Sequence, residues 1–113
     1  MSAVSSETNE SSPLTPAVFA ILLALADGEK HGYAIMQEAR EHTPMGPGTL
    51  YGSLDRLLAS GMVEETGVDG DARRRFYKLT DGGVRALALE TVRLERASAR
   101  ARAKGVRSIE VRA

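Results

Sequence analysis

A mainly α-helical domain with one small β-hairpin is the fold class that this sequence predicts. Three observations carry the prediction. Apolar residues recur at helical spacing, most clearly Leu50, Leu54, Leu57 and Leu58, which fall on one stripe of a helix. Two short strand-like stretches, 62–66 and 75–79, flank Gly67-Val68-Asp69-Gly70-Asp71, residues suited to a turn. At 113 residues, 42 % apolar and 27 % charged, the chain has material for one small core and not for two.

The elements follow in order. Residues 1–13 form a polar arm with too little apolar surface to offset the entropy of ordering, and are expected to be disordered. Thr15 before Pro16 reads as an N-cap with proline at the first helical position. That helix should run to Ala26, with Val18, Ile21, Leu22 and Leu25 on one face, and stop at Asp27-Gly28. A second helix is expected from His31 or Gly32 to about His42, ahead of Pro44, with Tyr33, Ala34, Ile35, Met36 and Ala39 as its apolar members. The third begins at Pro47, with Gly61 as its C-cap. The hairpin is too small to stand alone and must lean on the helices. Thr80 then caps a final helix through about Lys104. Three helices, a hairpin and a last helix is the order of a winged helix-turn-helix over 14–80, followed by a helix over 81–104 and a basic tail over 105–113. No internal repeat is visible.

Composition excludes several kinds of chemistry. Without cysteine there is no disulfide framework, no Cys-based zinc site and no thiol sensor. Two histidines lacking cysteine partners make a poor metal site, and no cofactor is expected. The longest apolar run, Ala17 to Ala26, is short of the ~18 residues of a membrane helix. The N-terminus lacks the basic and apolar segments of a secretory signal, so a cytoplasmic location is expected, with no membrane partner. No nucleophile–base pair is visible, and Gly46-Pro47-Gly48 lacks the downstream lysine of a phosphate loop. An enzyme is not expected.

The third helix and the hairpin carry the functional signal. On a helical wheel the arc opposite the leucines holds Gly48, Thr49, Gly52, Asp55, Arg56 and Ala59, with Tyr51 and Ser53 at its borders. Gly52 in a helix interior costs ~1 kcal/mol relative to alanine, which makes sense where the backbone must approach another surface, such as a groove wall. The hairpin carries Arg73, Arg74 and Arg75 at its tip and Lys78 further along. By the period-two rule Arg75, Tyr77 and Leu79 share one face and Arg74, Phe76 and Lys78 the other. Tyr77 and Leu79 look inward, leaving Arg73 and Arg74 freest to reach phosphates. A small-faced helix beside an arginine-tipped ribbon is what lies in a DNA groove and clamps the flanking backbone. The plainer alternatives are a surface helix with a small outer face and an edge strand protected by charge. A winged helix used only for protein–protein contact is the competing functional reading. Zero net charge argues against a strongly basic binder. Even so, basic residues outnumber acidic ones eight to three from Arg85 onward, and a neutral total can hide a basic face.

In the last helix Val84, Leu87, Thr91, Leu94, Ser98 and Ala101 follow an approximate heptad, with Leu89 and Val92 on a neighbouring face. A helix apolar on two adjacent faces can bind its own domain with one and a second copy with the other. Homodimerisation through Val84, Leu87, Thr91, Leu94 and Ser98 is expected, against the alternative of a helix that only closes its own core.

Taken together, Leu14-Thr15, Ile21-Leu22-Leu23, His31-Gly32-Tyr33-Ala34-Ile35, Pro47-Gly48-Thr49-Leu50-Tyr51, Leu54-Asp55-Arg56-Leu57, Gly61-Met62-Val63 and Tyr77-Lys78-Leu79-Thr80 with Gly83 resemble the PadR-type transcriptional regulators, over roughly residues 14–95. The resemblance implies a dimeric bacterial winged-helix repressor that binds an inverted-repeat operator on double-stranded DNA and is released by a small molecule. The third helix would be the recognition helix, with Thr49, Tyr51, Ser53 and Arg56 near DNA, and the hairpin the wing. His31 would be a cap and Tyr33 a core residue. The single last helix resembles the small subfamily, some members of which bind flat drugs against a tryptophan at the dimer interface. This chain has no tryptophan, and its effector is expected to be apolar or aromatic.

Overall fold

The computed structural model describes residues 12–68 and 75–107. Four helices and three strands follow one another as α1 (Pro16–Ala24), β1 (Lys30–His31), α2 (Gly32–Ala39), α3 (Pro47–Ala59), β2 (Val63–Val68), β3 (Arg75–Leu79) and α4 (Asp81–Ala103). This is the expected mainly helical class, with one addition. The sheet is three-stranded, in the order β1-β3-β2, because Lys30 and His31 pair antiparallel with Tyr77 and Phe76. Two residues are too few to carry a periodic signal in the sequence.

Helix α1 starts as its sequence demands: the Thr15 hydroxyl accepts a bond from the Val18 amide at 3.1 Å, and Pro16 sits at the first turn. It ends two residues before the expected Ala26. There the Leu25 and Ala26 amides tighten onto the Leu22 and Leu23 carbonyls, and Gly28 turns the chain with φ +139°. Ala20, Ile21, Leu22, Ala24 and Leu25 are buried, so α1 is the centre of the core.

Helix α2 is capped by His31, whose Nδ1 accepts from the Ala34 amide at 3.3 Å. The ring stands edge-on to Phe76, centroids 5.7 Å apart, so the cap also ties α2 to the sheet. Tyr33 is not in the core as expected but 56 % exposed. The inward stripe is Gly32, Ile35, Met36 and Ala39, and Tyr33 stands about 100° from Gly32 around the axis. The helix stops at Ala39, short of His42, and Arg40 Nε donates to the Met45 carbonyl at 2.7 Å across the following loop.

Helix α3 buries Leu50, Leu54 and Leu57, as the leucine spacing requires. Gly61 follows it with φ +81°, and the Met62 amide returns to the Leu57 carbonyl at 3.0 Å, satisfying the helix end. Strand β2 then runs beyond the expected Thr66. Val63, Glu64 and Glu65 pair with Leu79, Lys78 and Tyr77; after a bulge, Gly67 and Val68 pair with Phe76 and Arg75. The two residues assigned to the turn therefore belong to the strand. Tyr77 is buried, and burial pushes its hydroxyl pKa up.

The start of α4 is clasped to the end of α3. The Thr80 amide donates to the Met62 carbonyl at 3.1 Å, and its hydroxyl donates to the Gly61 carbonyl and accepts from the Gly83 amide. The Met62 carbonyl presses so close to Gly83 that no Cβ fits there. Ala86 joins the core and Leu87 packs against it. Beyond Glu90 no residue of α4 is buried, although the helix is about 35 Å long.

Candidate nucleic-acid interface

The outer face of α3 is built by subtraction. Thr49, Asp55, Arg56 and Ala59 are exposed there. Between them, a Cβ at Gly48 would meet nothing within 4 Å, and one at Gly52 only Arg56 Nη1, at 3.9 Å. The result is a shallow surface over which the Arg56 guanidinium lies, with α3 offering backbone at closest approach. Tyr51 is 47 % exposed and leans on α2, where a Cβ at Gly32 would stand 2.5 Å from its Oη. Ser53 is the correction: expected at the border near DNA, it is only 2 % exposed. Its position falls about 40° beyond Leu57 on the wheel, so the buried arc reaches past the leucines to include it.

The ribbon beside this face carries its cations in pairs. Arg75 Nε lies 3.6 Å from Glu65 Oε2, and Lys78 Nζ 3.7 Å from Glu64 Oε2. The register that sets Glu64 opposite Lys78 makes the second pair a direct cross-strand contact. All four side chains are at least one-third exposed, so each pair is worth ~0–1 kcal/mol and opens readily. Arg73 and Arg74, expected at the tip, lie outside the described residues, as do 1–11 of the polar arm and 108–113 of the basic tail.

On α4 the residues expected at a dimer contact divide. Val84 is 54 % and Leu94 48 % exposed; Thr91 and Ser98 are exposed, the Thr91 hydroxyl donating to the Leu87 carbonyl at 2.9 Å. Leu87 is half-buried against its own core. Leu89 and Val92, on the neighbouring face, are also exposed.

Glu90 escaped the sequence reading. It is 6 % exposed, accepts the Leu14 amide at 3.2 Å and pairs with Arg93, so a buried carboxylate ties the entry of α1 to α4. The available signal was its place four residues after Ala86 on the inward stripe. Among the described residues no group of three or more His, Cys, Asp or Glu is arranged to hold a metal. No helix among them is long and apolar enough to cross a membrane.

Residues 21–89 match the Transcriptional regulator PadR-like family. The chain is 44 % identical over 78 residues to a transcriptional regulator of Mycobacterium tuberculosis, covering 66 % of this chain and 72 % of that one. It is 40 % identical over 83 residues to an uncharacterized protein of a Streptomyces fradiae transposon, covering 71 % of this chain but only 23 % of that longer protein. In fold it is similar to BpsR of Bordetella bronchiseptica, whose DNA binding is regulated by 6-hydroxynicotinic acid, with a TM-score of 0.66 and 24 % identity over 85 % of this chain and 70 % of that one.

Proposed function

Since the chain belongs to the PadR-like family of transcriptional regulators, we propose that it is a dimeric repressor that reads an inverted-repeat operator with α3. The observation that carries this reading is the α3 face: two glycines at which a Cβ would meet nothing but the end of Arg56, with Thr49 and Arg56 beside them. A helix so stripped of bulk can lie deep in a major groove and bring its few polar side chains to base edges. The ribbon β2–β3 is the wing. Arg75 and Lys78, and with them Arg73 and Arg74, exchange a carboxylate or water for DNA phosphate. Helix α4 supplies the second copy, through Val84, Thr91, Leu94 and Ser98, with Leu87 shared between the core and the contact. Two copies related by a two-fold axis present two α3 helices to two half-sites.

A small apolar or aromatic molecule is the effector in this reading. Leu, Val and Ala on α4 offer apolar contact, and the arginines interspersed among them favour a flat ring or an aromatic acid. The aromatic acid that regulates BpsR supports that chemistry. Release of DNA by metals or oxidants alone would contradict it.

The paired state of the wing cations favours one rival, a winged helix that contacts protein and not DNA. Fluorescence anisotropy with the DNA upstream of the protein's own gene, at two salt concentrations, separates the two. A DNA reader binds that fragment more tightly than random DNA and loses affinity as salt rises. A protein-contact module does neither.

A further inference from the structure

We propose that Tyr33 and Gln37 of α2 form an uncharged clamp for one DNA phosphate, on the rim of the α3 face. The inference rests on the DNA-binding reading above and adds to the interface a helix that neither the recognition helix nor the wing includes.

Three observations carry it. Tyr33 is among the most exposed of the large hydrophobic side chains of the described residues, at 56 %, and stands outside the core cluster that would explain an aromatic residue there. Its hydroxyl is nonetheless held in place: Gln37 Nε2 donates to Tyr33 Oη at 3.2 Å, four residues on and one turn away along the same helix face. A phenolic oxygen that accepts that bond keeps its own proton to donate, and the second amide hydrogen of Gln37 is available beside it. Position is the third. Gly32, the residue before Tyr33, is the one on which the Tyr51 ring of α3 rests. The start of α2 therefore adjoins the second turn of α3, which places Tyr33 one residue from the contact between the two helices.

The ligand follows from the donor set. Two neutral donors on a convex helix suit a singly charged, multi-acceptor group presented from outside, which on DNA is the backbone phosphate. Hydroxyl and amide side chains make such contacts and fix the register of a protein on the duplex. Arg40, next on the same face, is tied by its Nε to the Met45 carbonyl, so the clamp itself is neutral.

Neutrality gives the clamp a signature. A lysine or arginine contact releases a counterion and steepens the fall of affinity with salt, whereas a hydroxyl contact does not. The full chain is titrated with its upstream DNA by anisotropy at several salt concentrations, as wild type, Tyr33→Phe, Gln37→Ala and Arg56→Ala. Tyr33→Phe keeps the ring and removes only the hydroxyl, so thermal unfolding should match the wild type. Its affinity is expected to fall about tenfold at every salt, with the wild-type slope, and Gln37→Ala to fall by a smaller factor in parallel. Tyr33→Phe within twofold of wild type, while Arg56→Ala loses affinity, overturns the clamp and leaves the DNA reading standing. A wild-type chain with no salt-dependent DNA binding overturns both.

Discussion

The ring of Tyr51 rests on the backbone of Gly32, so that the second turn of α3 and the first turn of α2 are held in one register. This contact joins two motifs that are separate in the sequence, His31-Gly32-Tyr33 and Thr49-Leu50-Tyr51. Gly32→Ala should therefore gain helix propensity, about 1 kcal/mol, and lose a similar amount by displacing the ring. Its net stability change should be small in the wild-type background and clearly favourable in Tyr51→Ala. Equal effects in the two backgrounds, by denaturant titration, would mean that the contact does not constrain the helices.

Gly52 tests how closely α3 approaches DNA. A Cβ at Gly52 would meet only the end of Arg56, so Gly52→Leu should stabilise the fold by up to ~1 kcal/mol. Operator affinity should nevertheless drop, because the side chain stands between backbone and groove. A more stable protein with unchanged operator affinity would show that α3 is not the reading element.

Glu64 and Glu65 hold the cations that the proposed wing would offer to phosphate. Glu64→Gln and Glu65→Gln should leave stability within ~1 kcal/mol while raising affinity for random DNA several-fold at low salt. Each freed cation should steepen the plot of log affinity against log salt by up to about 0.9. Operator specificity should fall accordingly. Parallel salt plots for wild type and the double variant would mean that Arg75 and Lys78 stay clear of DNA.

Leu94 is a cleaner probe of the proposed dimer than Leu87, which packs on its own core. Leu94→Glu with Val84→Glu should give folded monomers with weakened operator binding. Sedimentation that still finds a dimer would remove this face of α4 from the interface.

Burial raises the pKa of Tyr77 in the folded state, so its contribution to stability is complete below the unfolded value, ~10. It declines as pH rises from there through the folded value. Tyr77→Phe should lack this alkaline decline. Denaturant midpoints between pH 9 and 11 that fall equally in both proteins would assign the decline to other groups.

Much of this architecture was legible in the sequence, and for identifiable reasons. Thr15-Pro16, the leucine stripe of α3 and Thr80 are local signals, and the structure uses each as its chemistry directs. Tyr33 was misread because an aromatic residue beside Ile35 and Met36 suggests a core, and a displacement of about 100° is decided only by which neighbours the helix meets. Ser53 was misread in the opposite sense, a small polar residue carried into a buried arc by the leucines around it. Strand β1 depends on partners 45 and 47 residues away, and the bond between Glu90 and Leu14 spans 76, beyond the reach of any local pattern.

The clasp that joins Gly61 and Met62 to Thr80 and Gly83 closes the chain before the ribbon and after it. Helices α3 and α4 are thus joined at the base of the ribbon. The ribbon hangs from that joint as a pendant. Substitutions beyond that joint leave the placement of α3 against α4 to the clasp. In the dimer proposed above, contacts of the ribbon and the spacing of the two α3 helices are then set by separate parts of the chain.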